Sequence, residues 1–167
     1  MSDREKVIDA FKKAGKPVSA GEITTISGLD RKLDEQLCFP LYVCSKEIIK
    51  RYKPVLEQIG LTYTQYIIMM VMWEEKEISF RDLVKKLYLE SNTLTPVLKK
   101  LEDKKLIERK KITGNDKNIL LSITKKGIDL KAKAMQVPKE LEKCLTISED
   151  DGSTLKDILN RIMKTFS

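Results

Sequence analysis

No histidine occurs in the 167-residue sequence. Ser–His and Cys–His catalysis, and any histidine metal ligand, are thereby excluded. Cysteine is scarce, with three in all, and no two are spaced C-x-x-C. That spacing excludes a cysteine-rich zinc site and a thioredoxin-type motif, and no metal or cofactor is expected. Aromatics make up only 6%, with seven glycines and five prolines, which argues for helices over a β-sandwich. No apolar stretch follows the charges at the amino terminus, so no secretory signal is read. The longest apolar run, Ile67 to Trp73, is far too short to cross a membrane. A reducing cytoplasm, where thiols stay free, is the expected setting.

What is present is enough hydrophobic residue, 41%, for one domain with a real core. The formal net charge is +7, which favours nucleic acid or an acidic surface as partner. A merely solvated basic protein has the same charge. Residues 1–33 differ in character from the rest. A helix is predicted over Asp3 to Ala14, with Val7, Ile8 and Phe11 as its stripe and Gly15 and Pro17 as its stop. Ser19 with Glu22 forms a capping box for a second helix, Ser27-Gly28 breaks it, and Asp30 can cap a third. These short helices fit a helical extension, or the first half of a helix-turn-helix without its wing.

From Asp30 or Asp34 a helix is predicted to run to about Lys53, with Pro54 ending or kinking it. Thr62 or Thr64 caps the all-round apolar helix Gln65 to Trp73, which belongs in the centre of the core. Ser79 to Leu87 and Ser91 to Lys104 follow, joined by a short turn, the pattern of a helix-turn-helix. Two strands, Leu106 to Ile112 and Asn118 to Thr124, flank a turn at 113–116 and read as a wing. A helix from Lys125 ends before Pro138. Ser148 caps the last helix, where Leu155, Ile158, Leu159, Ile162, Met163 and Phe166 form an apolar stripe. The expected fold is mainly α with a small β-hairpin wing: a winged helix-turn-helix.

In the Ser91 helix, Leu94, Val97, Leu98 and Leu101 share the inward face. Ser91 and Asn92 open the helix. Thr93, Thr95, Pro96, Lys99 and Lys100 are left facing outward. Short polar side chains at a helix start let the backbone approach DNA and bond base edges, while N-terminal amides attract phosphate. Ordinary helix capping explains Thr93 and Thr95 equally well. Pro96 is tolerable if it lies within the first turn. Lys110, Lys111 and Lys117 surround the wing tip and suit phosphate contacts, which confer affinity without sequence choice.

Three runs then point to a family. Gln36-Leu37-Cys38-Phe39, Leu61-Thr62-Tyr63-Thr64-Gln65-Tyr66 and Thr93-Leu94-Thr95-Pro96-Val97-Leu98-Lys99-Lys100 resemble the MarR family of transcriptional regulators. Within it they resemble the organic hydroperoxide resistance regulators. The resemblance covers roughly 34–167 and not residues 1–33. It implies a DNA-binding core at about 61–127 and dimerisation helices at about 34–53 and 125–167. It also implies an intertwined homodimer that represses by occupying a double-stranded DNA operator. Cys38 would be the thiol that organic hydroperoxide oxidises to sulfenic acid, releasing the DNA. Tyr52 and Tyr63 match the thiol-supporting tyrosines, with Tyr42 one helical turn from Cys38.

The chemistry stands beside the resemblance. A thiolate attacks peroxide oxygen, and phenol hydroxyls and a helix N-terminus can stabilise it where no histidine exists. An apolar rim of Phe39, Leu41 and Ile67 would favour organic peroxides. On residue types alone, Cys38 reads more readily as a small core residue than as a sensor. Cys44 lies about 9 Å along the same helix and about 120° around it, so it is not placed to bridge Cys38 and reads as structural. Cys144 falls near where some relatives carry a second cysteine that resolves the sensor across the dimer; it is a resolving thiol or incidental. Two departures stand out. Asn118 occupies the position of the family's wing arginine, and Asn92 stands where relatives often have glycine. Two other readings remain open: a thiol peroxidase using Cys38, and a regulator released by a small ligand in its dimer crevice, with the thiol silent.

Overall fold

The computed structural model describes residues 2–15, 32–33, 36–111, 119–142 and 147–166. They fall into two compact units, Met1–Ile48 and Ile49–Ser167, a division further along the chain than the boundary at 33/34 expected from the sequence. In the first unit, helix α1 spans Asp3–Ala14. Ser2 and Glu5 form a reciprocal capping box at its start, and Gly15, at φ +60°, ends it. Ile8 and Phe11 on its stripe are exposed. The expected caps at Ser19, Glu22 and Asp30 and the break at Ser27-Gly28 lie outside the described residues.

Helix α2 spans Cys38–Glu57, so the expected start at Asp30 or Asp34 is corrected. Proline explains the shift. Starting at Cys38 puts Pro40 in the first turn, where a missing N–H leaves nothing unbonded. A start at residue 30 or 34 would place that proline in the helix interior. Pro54 falls near the other end, which continues to Glu57.

The second unit is built around helix α3, Tyr63–Glu75. Of the two candidate caps, Thr62 is the one used. Its hydroxyl accepts the Gln65 N–H at 3.4 Å, and the Gln65 carboxamide accepts the Thr62 N–H at 3.2 Å. Ile68, Met69 and Met72 are fully buried, and Tyr66, Val71 and Trp73 nearly so, as its all-round apolar character required. Strand β1 (Glu77–Ser79) leads directly into helix α4 (Phe80–Leu87), and helix α5 is Ser91–Asp103. Strands β2 (Ile107–Lys111) and β3 (Ile119–Ile123) follow. The sheet order is β1-β3-β2, antiparallel throughout, with Ile78 opposite Leu121 and Arg109 opposite Leu121 on the other side. The expected two-stranded wing therefore carries a third strand. Three residues are too few to show alternation, so β1 left no periodic signal. Ser122 donates to Glu77 at 2.7 Å across that added pairing.

Helix α6 spans Lys125–Ala134, helix α7 Val137–Glu142 and helix α8 Glu149–Met163, with a short 3-10 turn at Lys164–Phe166. As expected, the Lys125 helix ends before Pro138, and Ser148 caps the last helix by accepting the Asp151 N–H at 3.1 Å. No residue of α8 is buried. Of its stripe, Leu155, Ile158 and Met163 are exposed, as is Phe166 just beyond it.

Packing is tight at the start of α6. A Cβ on Gly127 would sit 2.3 Å from the Leu106 carbonyl oxygen and 2.8 Å from Ile123 Cγ1. The nearer obstacle is backbone and cannot swing aside. The Gly127 carbonyl accepts the Trp73 indole N–H at 2.7 Å in the buried interior. Gly127→Ala is expected to cost about 1–3 kcal/mol through overpacking. Urea unfolding followed by fluorescence of Trp73, the one tryptophan, measures this. An unchanged midpoint would show that the start of α6 yields freely.

Candidate functional site

Helices α4 and α5 meet through Tyr88, Leu89 and Glu90. Ser79 caps α4: its hydroxyl accepts the Asp82 N–H at 3.1 Å and donates to the Asp82 carboxylate at 2.6 Å. Tyr88 ends α4 in the left-handed region at φ +53°, its N–H shared between the Lys85 and Val84 carbonyls. Glu90 begins α5 without a side-chain cap bond. Leu94, Leu98 and Leu101 are fully buried, and Val97 packs against the same core. Ser91, Asn92, Thr93, Thr95, Pro96, Lys99 and Lys100 are all exposed. The inward and outward faces divide as the spacing predicted.

Neither threonine caps the helix with its hydroxyl. The Thr93 N–H donates to the Asn92 side-chain oxygen at 2.7 Å, and the Thr95 hydroxyl donates to the Ser91 carbonyl at 2.7 Å. Pro96 is the sixth residue of α5, in the second turn and not the first. The helix tolerates it without interruption, and its ring lies on the exposed face. On the wing, Lys110 is exposed on β2, and Lys111 ends that strand. Lys117 and Asn118 lie outside the described residues. Arg109, which the sequence reading passed over, donates to Glu102 at 2.8 Å and ties the wing strand to α5.

Cys38 is the first residue of α2 and is exposed. Tyr42, one turn on, is exposed too, with the Lys46 ammonium 6.0 Å from its ring centre. Cys44, expected to be structural, is also exposed. Tyr52 and Tyr63 are half-buried and touch edge to face, with ring centres 4.9 Å apart, and Tyr66 follows at 5.9 Å from Tyr52. Burial raises the Tyr52 phenol above its ordinary value, and the neighbouring Tyr63 and Tyr66 add to the shift. Burial does the same for Tyr66. At neutral pH both phenols are therefore proton donors. Cys144 lies outside the described residues. An open apolar hollow of about 330 Å³ is lined by Tyr66, Met70, Trp73, Lys131, Ala134 and Met135, among others. Among the described residues, no helix is long and apolar enough to cross a membrane.

Residues 50–134 match the family model of the transcriptional regulators SarA/Rot. The organic hydroperoxide resistance transcriptional regulator of Bacillus subtilis (strain 168) is 39% identical over 127 residues, 76% of this chain and 84% of that protein. The chain belongs to the SarA/Rot family of transcriptional regulators. The HTH-type transcriptional regulator SarZ of Staphylococcus aureus (strain NCTC 8325 / PS 47) is 37% identical over 130 residues, 78% of this chain and 86% of that one. Among solved structures, reduced AbfR bound to DNA is similar, with a TM-score of 0.68, 28% identity and coverage of 80% and 92% of the two chains. Overoxidized AbfR bound to DNA (TM-score 0.66, 29% identity, 81% and 95% covered) and disulfide-formed AbfR (TM-score 0.55, 28% identity, 80% and 89% covered) are similar as well. The winged-helix regulator fold expected from the sequence is the one found.

The raised Tyr52 phenol has a consequence for stability. As pH climbs past the ordinary phenol value of 10.0, the unfolded chain loses this proton before the folded one does. The native state's advantage is full below that value and is lost as pH rises through the folded value. Tyr52→Phe should therefore lose less stability than wild type between about pH 7 and about pH 11, read as the shift in urea midpoint. Equal losses in the two proteins would mean that the Tyr52 phenol is solvated.

Proposed function

We propose that the chain is a DNA-binding repressor, working as a homodimer, that senses organic hydroperoxide through Cys38 and then releases its operator. One pairing carries this reading: an exposed thiol at the first residue of α2, in a chain that also exposes the polar start of α5. Ser91, Asn92, Thr93 and Thr95 would face base edges in the major groove, with Pro96 beside them. Lys99, with Lys110, Lys111 and Lys117 of the wing, would contact phosphates and make binding strongly salt-dependent. Asn118 carries no charge for a narrow minor groove, which shifts wing anchoring to those lysines. Helices at about 34–53 and 125–167 would form the dimer, with the uncovered stripe of α8 within it. Residues 1–33 would be an extension.

In the sensing step, the Cys38 thiolate attacks the terminal peroxide oxygen. The S–O bond forms, the O–O bond breaks, and the alkoxide leaves as alcohol once protonated. The product is a sulfenic acid. Tyr42, Tyr52 and Tyr63 are the phenols assigned to support the thiolate. Tyr52 lies fourteen residues from Cys38 in one helix, about 21 Å by rise, so Tyr52 would serve the thiol of a second copy. Cys144 is assigned as resolving thiol: its sulfur attacks the sulfenic acid of the other protomer, the disulfide forms and water leaves. AbfR has been seen on DNA both reduced and overoxidized, which favours the disulfide as the releasing state. The protein is read as a cytoplasmic sensor and not as a peroxidase.

The hollow beside Tyr66 and Trp73 supports a second reading, release by a small apolar ligand with the thiol silent. Cys38→Ser separates the two. Serine keeps the shape without thiolate chemistry, so the variant should still bind the DNA upstream of its own gene yet ignore cumene hydroperoxide in a gel-shift titration. Equal release of wild type and variant would remove Cys38 from the mechanism. Non-reducing electrophoresis after mild peroxide should show a covalent dimer that Cys144→Ser abolishes. A dimer that survives in that variant would assign the bridge to another cysteine.

A further inference from the structure

A side chain can read a base only with the hydrogens or lone pairs that the fold leaves it. At the exposed start of α5 several of these are already engaged. The Thr95 hydroxyl oxygen lies 2.7 Å from the Ser91 carbonyl oxygen. A carbonyl cannot donate, so the proton on this contact is the hydroxyl's. Threonines in helices commonly bond the preceding turn in this way. What Thr95 has left is lone-pair density, so towards a ligand it accepts. Asn92 is arranged the other way. Its side-chain oxygen accepts the Thr93 N–H at 2.7 Å and the Thr93 hydroxyl at 3.3 Å. A backbone N–H needs an acceptor, which places the amide oxygen, and not the nitrogen, on that side. Two donors fill the two lone pairs of that oxygen. Asn92 is therefore left with its amide hydrogens to offer a base.

Both residues are exposed. Three positions apart in a helix, they are neighbours on one face, with about 5–6 Å between Cβ atoms. Leu94 and Leu98, fully buried, hold that face outward. In the major groove every base pair shows one amino group and one keto oxygen: adenine N6 with thymine O4, or cytosine N4 with guanine O6. An acceptor therefore finds the strand that carries the amino base, adenine or cytosine. Amide hydrogens meet O6 and N7 of guanine or O4 of thymine. Asparagine ordinarily suits adenine, through a bidentate contact in which its oxygen accepts from N6. Here that oxygen is occupied. Adenine offers the amide hydrogens only N7, beside an amino group that repels them.

We propose that these internal bonds set the sequence read by α5: Thr95 selects an amino base, adenine or cytosine, and Asn92 a keto base, guanine or thymine. The assignment rests on the DNA-binding reading above. It is tested by selection from a pool of duplexes with a randomised core, using the full-length reduced protein. Wild type should enrich sites with one position held to adenine or cytosine and another held to guanine or thymine. Thr95→Val keeps the shape without the hydroxyl. It should relax the amino position alone and bind the wild-type site about fivefold more weakly, the scale of one neutral hydrogen bond. Thr95→Ser retains the hydroxyl and should retain the restriction. Asn92→Asp still has an oxygen for the Thr93 N–H but presents an acceptor in place of the amide hydrogens. Its position should turn over, from a keto base to an amino base. A carboxylate is favourable near a helix start, so this variant decides the matter even if Thr95→Val fails to fold. Relaxation of a keto position, or of none, in Thr95→Val overturns the assignment. So does a lost restriction in Thr95→Ser, or a preference for guanine or thymine that persists in Asn92→Asp. DNA bound by wild type with no base enriched overturns it as well, and leaves the regulator reading standing. Wild type that binds no duplex at all overturns the regulator reading, and this assignment with it.

Discussion

The Trp73 indole reaches the Gly127 carbonyl at 2.7 Å, and residue 127 has no side chain to push the start of α6 away from Leu106 and Ile123. Much of the second unit depends on that approach. An indole N–H left unbonded in this interior would cost about 1–3 kcal/mol, and α3, which carries Trp73, packs against α4, α5, α6, β1 and β3. The residues around Gly127 extend the same grip to the recognition helix. Thr124 donates to the Lys105 carbonyl at 2.7 Å, and the Lys126 ammonium to the Lys104 carbonyl at 2.9 Å. Lys104 in turn donates to Gly60 and to Gln65, and Arg109 holds Glu102. These contacts all hold α5 by its carboxyl end. Its amino end has no side-chain cap and projects exposed polar groups. A reading head needs this arrangement: one end rigidly held, the other free to meet a ligand.

Apolar surface is distributed unevenly in the chain, and that says where stability is unfinished. The core around α3 buries large side chains completely, while α8 buries none. Exposed Phe39, Val43 and Ile49 on α2 show the same lack of cover. An amphipathic helix gains most of its stability from its apolar face. A face left uncovered therefore implies a fold completed by association, and the stripe on α8 belongs to the segment assigned to dimerisation.

Long periodic segments were legible in the sequence: the buried α3, the two faces of α5 and the stripe of α8 are where spacing put them. Rules of smaller reach decided the rest. Pro40 outranked the acidic caps upstream and set the start of α2. Strand β1 has three residues and no pattern to read. Pro96 entered the second turn of α5, against its local preference, because the leucines on either side are fully buried. The left-handed backbone at Tyr88 depends on how α4 ends against the core, which no local motif announces. The contact between Tyr52 and Tyr63 spans separate helices. Composition gave no hint of it, and only the family resemblance paired those residues.

How a thiol on α2 would govern a helix fixed as firmly as α5 follows from that rigidity. Moving α5 within its own core would break the bonds at Lys104, Lys105 and Glu102 and disturb fully buried leucines, which is costly in a close-packed interior. A dimer of helix-turn-helix units offers a cheaper variable, the separation of its two recognition helices. They must match half-sites about 34 Å apart, one turn of the duplex. A disulfide brings its two Cα atoms to within about 7 Å, and if Cys38 and Cys144 of two copies start further apart, forming it must shift one protomer against the other. Within its own unit, α5 would move with the core that holds it. The stiffness that makes each reading head resistant to local change is what would let a single bond at the thiol spoil the fit of both.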